Sequence, residues 1–141
     1  MIVTVEPAQK GDLEGLVDRS IYSNYPAAKQ MFYNHVKMSS DVWVGKADGV
    51  VACAFGVIAP SIISEQAYIW VITTGIVEEH KFTFIRYSQR VLETLLEQYE
   101  SIVGFCFVQE TSAIRWLKFL GAVFDETPQE DRLPFKIRRR R

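Results

Sequence analysis

The sequence predicts an α/β domain in which a mixed central sheet has helices on both faces. Strand-like apolar runs alternate with segments whose apolar residues recur at helical spacing. An Asp48-Gly49 pair between two apolar runs indicates a β-hairpin, and Ser101–Phe124 has the pattern of strand, short helix and strand. At 141 residues the chain is long enough for one domain with a substantial core.

The first part of the chain predicts one strand followed by two short helices. Ile2, Val3 and Val5 begin a strand that Pro7 ends. Asp12 precedes an apolar face with helical spacing, which predicts a helix to about Tyr22. A second helical pattern covers 27–38.

The middle of the chain predicts three antiparallel strands and a longer helix. The strands are Asp41–Lys46, Val50–Ile58 and Ala67–Ile76, rich in β-branched and aromatic residues. The helix runs from about Phe82 to Tyr99, with Leu and aromatic residues on one face and charged residues on the other.

The last part of the chain predicts a buried strand, a short helix and two further strands. Ser101–Gln109 is the apolar strand. Thr111 or Ser112 is the expected helix cap, and Gly121 is expected to end the helix. The remaining strands are Ala122–Phe124 and Leu133–Ile137.

Charge divides the chain into a long acidic part and a basic end. The sequence has 16 Lys and Arg residues against 17 acids, and five of the cations are Lys136 and Arg138–Arg141. We therefore expect a domain over residues 1–137 and a basic tail over 138–141. A short terminal charge run is usually solvated, and only this tail is a candidate for nucleic-acid contact.

Cysteine and histidine usage argues against a disulfide framework or a metal site. Cys53 and Cys106 lie in apolar strand runs, which predicts buried, non-catalytic thiols in a reducing compartment. With two histidines and no Cys/His cluster, we expect no metal. No apolar run approaches the roughly 20 residues of a membrane span, so no membrane partner is expected.

Three stretches resemble the GNAT family of acyl-CoA-dependent N-acyltransferases. Val3–Leu16 is similar to its first strand and following helix start, Trp43–Gly56 to its second and third strands, and Glu110–Gly121 to its last conserved helix. The last stretch also resembles the GNAT-like internal virion proteins of short-tailed phages, which share a T-S-x-I-R-aromatic-L-K-x-x-G-A-V-F run. A phage origin follows as an expectation, with a location in the host cytoplasm or the virion.

The resemblance implies acetyl-CoA or another acyl-CoA as cofactor. In the family, backbone N–H groups at a helix start hold the pyrophosphate, where glycines allow close approach. Here the corresponding segment, Val77–Arg86, contains no glycine. The implied cofactor-binding residues are Ile72, Thr73, Thr74, His80, Lys81, Thr83, Arg86 and Glu110.

The catalytic residues of the family are replaced at two positions. Glu110 stands where many members have Asn, and Leu117 stands where they have a Tyr that protonates the departing thiolate. Attack of an amine on a thioester needs a general base, and the candidates are Glu78 and Glu79, with Glu65 and His80 as alternatives. Glu78, Glu79 and His80 also fit solvated residues near a helix start.

Two functions remain open at this point. The first is a divergent N-acyltransferase whose acceptor is a small-molecule or peptide amine. The second is a non-catalytic virion or assembly protein that uses the fold to bind other virion proteins. The glycine-free segment favours the second function.

Overall fold

A computed structural model describes residues 2–20, 22–25, 27–61, 63–125, 127 and 129–139. The helices are α1 (Ala28–Met38), α2 (Gly75–Glu79), α3 (Lys81–Gln98) and α4 (Thr111–Phe119). The strands are β1 (Val3–Pro7), β2 (Asp41–Ala47), β3 (Val50–Ile58), β4 (Gln66–Thr73), β5 (Ser101–Phe107), β6 (Val123–Phe124) and β7 (Arg132–Arg138).

The strands form one mixed sheet in the order β1-β2-β3-β4-β5-β7-β6. β4 and β5 are parallel and pair through Gln66–Tyr68 and Ser101–Val103. The neighbours β1–β2, β2–β3, β5–β7 and β6–β7 are antiparallel. The α/β class with a mixed sheet is therefore confirmed.

The chain divides into two compact units. Unit 1 contains the residues up to Ile58 together with Trp70–Tyr87, and unit 2 contains Ala59–Ile69 together with the residues from Ser88 onward.

The hairpin of unit 1 forms where the Asp-Gly pair predicts it. Asp48 and Gly49 both have positive φ, 48° and 82°, as a type I′ turn requires. The Asp48 carboxylate also accepts a hydrogen bond from the backbone N–H of Ile2 at 2.8 Å. This turn therefore fixes the pairing of β2 with β3, and its Asp48 side chain also binds Ile2, the residue before β1.

An irregularity in the β2–β3 pairing anchors the end of β4 within unit 1. The register shifts between Gly45 and Lys46, which leaves Ala52 as the extra residue of a bulge. The Ala52 carbonyl accepts hydrogen bonds from the Thr74 backbone N–H at 3.0 Å and the Thr74 hydroxyl at 2.7 Å. Thr74 is buried, so these bonds satisfy a polar side chain inside the core.

The predicted helix over 12–22 is wrong. Gly11 and Gly15 have φ of 93° and 70°, and the segment forms successive turns that end in a short 3-10 helix, Val17–Arg19. The Asp12 carboxylate accepts a hydrogen bond from the Gln9 backbone N–H at 2.7 Å and lies 3.3 Å from the Lys46 ammonium. The hydrogen bond from Gln9, with a smaller contribution from Lys46, lowers the pKa of Asp12. Glycines in the left-handed region interrupt the helix that the apolar spacing suggests.

In unit 2, β5 alternates strictly between a buried and a half-exposed side. Ile102, Gly104 and Cys106 are buried, whereas Val103, Phe105 and Phe107 are half-exposed. A Cβ on Gly104 would come 2.7 Å from the Ile69 carbonyl oxygen and 2.8 Å from the Phe135 ring. Glycine is therefore needed at this position of β5, between Ile69 of β4 and Phe135 of β7.

Helix α4 of unit 2 ends as predicted but begins differently. Gly121 has φ of 101°, and the Ala122 N–H donates to the Leu117 carbonyl, the hydrogen bond of a Schellman motif. Neither Thr111 nor Ser112 caps the helix, because the N-cap position is Glu110 and it makes no side-chain cap hydrogen bond.

Two residues of the basic end, Arg138 and Arg139, are ordered parts of unit 2. Arg138 is the last residue of β7, and the Arg139 guanidinium donates to the Leu96 and Glu97 carbonyls at the end of α3. A cation at this position satisfies free carbonyls and interacts favourably with the helix dipole. Arg140 and Arg141 of the predicted tail lie outside the described residues.

Candidate functional site

The segment implied to bind the cofactor lies in unit 1 and contains an additional helix. β4 ends at Thr73, three residues earlier than predicted, and α2 occupies Gly75–Glu79. His80 separates α2 from α3, which begins at Lys81. The prediction of a strand to Ile76 is wrong, because Thr74, which is still extended and bonds Ala52, is the N-cap of α2 and helical backbone begins at Gly75.

The backbone of this segment uses several of its N–H groups internally. The Val77 N–H donates to the Thr74 carbonyl, the His80 N–H to the Val77 carbonyl, and the Phe84 N–H to the His80 carbonyl. A pyrophosphate held by main-chain donors needs N–H groups that point away from the fold. These three N–H groups already have main-chain acceptors, so they are not available to a pyrophosphate.

The side chains of β4 implied to contact the cofactor are largely enclosed. Ile72 and Thr74 are buried, and Thr73 is half-exposed. The Thr74 hydroxyl donates its hydrogen to Ala52, which leaves only its acceptor capacity for another group. The Thr74 hydroxyl, one of the polar groups that the resemblance would assign to the cofactor arm, thus already donates to a structural hydrogen bond.

The charged side chains after β4 lie closer to solvent. Lys81 and Arg86 are exposed, and His80 and Thr83 are half-exposed. Phe82 lies between them with 76% of its surface exposed, and the Lys81 ammonium is 5.6 Å from the centre of its ring. Side-chain cations therefore remain as the candidate phosphate contacts of this segment.

The candidate general bases are also on the surface. Glu78 and Glu79 are exposed residues of α2. Burial in an apolar pocket is one way in which a carboxylate becomes an effective general base, and neither side chain has such an environment. Their assignment as catalytic residues stays a prediction.

Glu110 lies in unit 2 and stabilises the turn between β5 and α4. Its carboxylate accepts a hydrogen bond from the Phe107 N–H at 2.6 Å, and its own N–H donates to the Phe107 carbonyl at 2.9 Å. The carboxylate thus has a local structural role, and its implied contact with a cofactor arm stays a prediction.

The two cysteines are buried and unpaired, as predicted. Burial raises the pKa of the Cys53 thiol to about 11. Burial, with a further contribution from the Glu110 carboxylate, raises the pKa of Cys106 to about 12. Because the thiolate is the nucleophilic form, neither residue supplies a nucleophile at neutral pH.

The sequence patterns did not identify a groove that lies entirely within unit 2. Its volume is 470 Å³, and its walls are formed by β4–β7. Tyr68, Phe105, Arg132 and Lys136 line it, with Asp125 at the end of β6. Burial raises the pKa of Tyr68 to about 12, against an opposing effect of Arg132. The alternation of Arg132, Pro134, Lys136 and Arg138 along β7 is the signal that could have identified this surface.

Among the residues that the structure describes, no group of three or more His, Cys, Asp and Glu side chains is arranged to hold a metal ion. Over the same residues, no helix is both long and apolar enough to cross a bilayer.

Solved structures with similar coordinates define the fold class. A domain from Methanocaldococcus jannaschii superposes with a TM-score of 0.72 at 14% identity, covering 98% of this chain and 99% of that one. A spermidine N-acetyltransferase SpeG chimera from Vibrio cholerae and hSSAT gives 0.70 at 14% identity, with coverage of 96% and 95%. A GNAT family acetyltransferase from Elizabethkingia anophelis with acetyl-CoA bound gives 0.68 at 10% identity, with coverage of 97% and 98%. The chain therefore has the GNAT acetyltransferase fold.

A family match then gives the identity. Residues 49–127, more than half of the chain, match the family described as "Bacteriophage T7, probable scaffold protein Gp13". The chain belongs to this family, which confirms the resemblance to phage proteins. A comparison with curated proteins gives no match.

Proposed function

We propose that this chain is a phage-encoded assembly protein that uses the GNAT fold to bind other proteins of the particle and does not transfer acyl groups. Membership in a phage family described by a scaffold role supports this proposal. The protein would act in the cytoplasm of the infected cell and be packaged with the virion. A shared fold is compatible with this role because folds host unrelated functions.

Helix α2 is the observation that carries the proposal. It covers 77–79, the beginning of the segment Val77–Arg86 that the resemblance assigns to the pyrophosphate, and this segment contains no glycine. Its hydrogen bonds, together with the one that opens α3, use the N–H groups of Val77, His80 and Phe84. Leu117 and the hydrogen-bonded Glu110 add to this argument, because leucine has no proton to donate to a leaving thiolate.

An acyl-CoA-dependent N-acyltransferase is the second candidate. The cations Lys81 and Arg86, with His80 and Thr83, favour it because side chains can replace main-chain donors to a phosphate. A structural neighbour with acetyl-CoA bound also favours it. Ile72, Thr73, Thr74 and Glu110 would then contact the rest of the cofactor, Glu78 or Glu79 would accept the proton of the amine, and no metal would take part.

Complementation of a gene deletion separates the two candidates. In the phage that encodes the chain, we expect deletion to abolish infectious particles and a plasmid copy to restore the titre. A plasmid copy carrying Lys81→Ala and Arg86→Ala, the exposed candidate phosphate contacts, should restore the same titre, because the proposed role needs no bound acyl-CoA. Plaque counts measure the result.

Two outcomes contradict the proposal. A normal titre from the phage that lacks the gene would show that the protein is not needed for assembly. The acyltransferase would be supported if the double variant failed to restore the titre although the purified variant keeps its thermal midpoint. Lys37→Ala on α1 serves as the matched charge control.

A further inference from the structure

One side of the sheet in unit 2 combines aromatic and cationic side chains. Residues paired directly across strands lie on the same side of a sheet. The pairing places Tyr68, Val103 and Lys136 in one row, Phe105 beside Pro134, and Phe107 beside Arg132. A further row contains Gln66, Ser101 and Arg138, and the Gln66 amide donates to the Ser101 hydroxyl at 3.2 Å. We call this side the aromatic face.

The rings of the aromatic face form a continuous row. The ring centres of Tyr68 and Phe105 are 6.4 Å apart, and those of Phe105 and Phe107 are 5.5 Å apart. The Arg132 guanidinium lies 4.8 Å from the centre of the Phe105 ring. All three rings are half-exposed, in contrast to the buried residues on the other side of β5.

The charge on this face has one sign. Among the positions paired in its four rows, Arg132, Lys136 and Arg138 are cationic and none is acidic. The adjoining residue Arg139 does not belong to this face, because its guanidinium bonds the carbonyls at the end of α3. Asp125 also lines the groove, together with the two cations Arg132 and Lys136.

We propose that the aromatic face binds single-stranded nucleic acid. Bases stack on aromatic rings and on guanidinium planes, which Tyr68, Phe105, Phe107 and Arg132 supply. Lys136 and Arg138 lie along β7 at the spacing of alternate residues and would contact the phosphates. The 470 Å³ groove is within the range of about 300–1,000 Å³ that is usual for ligand clefts.

Other occupants fit this face less well. A duplex keeps its bases stacked and paired, so the rings would have no partner. A second copy placed face to face about a two-fold axis would bring the three cations against the same three cations, which is unfavourable. An acidic peptide would satisfy the cations without using the row of rings. The proposal does not depend on the assembly role, since the face lies in unit 2 and α2 lies in unit 1.

Fluorescence anisotropy with the full-length protein and a labelled oligothymidylate of about 20 nucleotides tests the proposal. We expect Phe105→Leu, which keeps apolar bulk, to weaken binding by about 5- to 150-fold, the range that one stacked base contributes. Phe105→Tyr should retain binding. Lys136→Ala should reduce the magnitude of the log–log salt slope by about 0.7, the value for one phosphate contact on a single strand.

Matched variants elsewhere in the chain serve as controls. Phe82→Leu removes an exposed ring and Lys37→Ala an exposed cation, and both should bind as the unchanged protein does. Thermal midpoints verify that each variant is folded. The proposal is overturned if the oligonucleotide does not bind at low salt, or if Phe105→Leu and Lys136→Ala behave like the controls. It is also overturned if a duplex of equal length or polyglutamate competes as well as the single strand.

Discussion

Replacing Gly56 with alanine is expected to lower the free energy of unfolding by about 2–4 kcal/mol. A Cβ at this position would lie 2.5 Å from the Trp70 ring carbons and 2.6 Å from its indole nitrogen. Trp70 is buried, packs edge-on against Phe32 and donates a 2.7 Å hydrogen bond to the Ser39 hydroxyl. The ring must therefore move, and both its packing and this hydrogen bond are disturbed.

Urea denaturation measures this effect, with Gly75→Ala as the matched control. A Cβ on Gly75 meets no atom within 4 Å, and the residue does not have a positive φ. Alanine there should leave the stability unchanged or raise it by up to about 1 kcal/mol. Equal losses in the two variants would contradict the packing described for unit 1.

Replacing Ile102 with alanine is expected to cost about 2–5 kcal/mol of stability in unit 2. Ile102 is 1% exposed and lies on the buried side of β5. Its truncation therefore removes apolar contacts and leaves a cavity. Ile102→Val should cost only about 0.5–1.5 kcal/mol, because it removes a single methylene group.

Val103→Ala tests whether β5 has the register described. Val103 follows Ile102 but lies on the half-exposed side of the strand, so its truncation should cost about 1 kcal/mol or less. If Val103→Ala lost more stability than Ile102→Ala in the same urea curves, the side of β5 that carries Val103 would be the buried one, which would contradict the structure. A one-residue shift in register would exchange the two sides.

The sequence predicted those elements whose local signals agree with their tertiary contacts. The helix over 27–38 is confirmed by α1, the longer helix by α3, and the hairpin at Asp48-Gly49 by its positive φ values. Gly121 ends α4 as expected. In each case periodicity, turn chemistry and packing favour the same structure.

The prediction failed where tertiary contacts override a local pattern. The run before Ile76 is rich in β-branched residues and predicts a continuous strand, yet Thr74, which bonds the distant residue Ala52, is the last extended residue and α2 begins at Gly75. The apolar spacing after Asp12 predicts a helix, yet Gly11 and Gly15 adopt positive φ. The spacing of apolar residues predicts neither the contacts with distant residues nor the φ angle that a glycine adopts.

The candidate sites were predictable only in part. The sequence located the segment after β4, its lack of glycine and its cations, because these are properties of residue type and order. It did not locate the aromatic face, because the pairing of β5 with β7 brings the rings and the cations together, and spacing along a single strand does not give that pairing. The strand over Ser101–Gln109 was predicted to be buried, yet Phe105 and Phe107 on this side of it are half-exposed.

The central claim is that this member of the phage family keeps the GNAT fold without using acyl-CoA, and the thermal midpoint with and without acetyl-CoA tests it most directly. A ligand at about 100 times its Kd stabilises the native state by about 2.7 kcal/mol, which raises the midpoint by several degrees. We expect no change at acetyl-CoA concentrations of about 1 mM, well above the micromolar range of a functional cofactor. This claim would be contradicted if acetyl-CoA raised the thermal midpoint of the unchanged protein and of Lys37→Ala by several degrees, but did not raise the midpoint of the variant carrying both Lys81→Ala and Arg86→Ala.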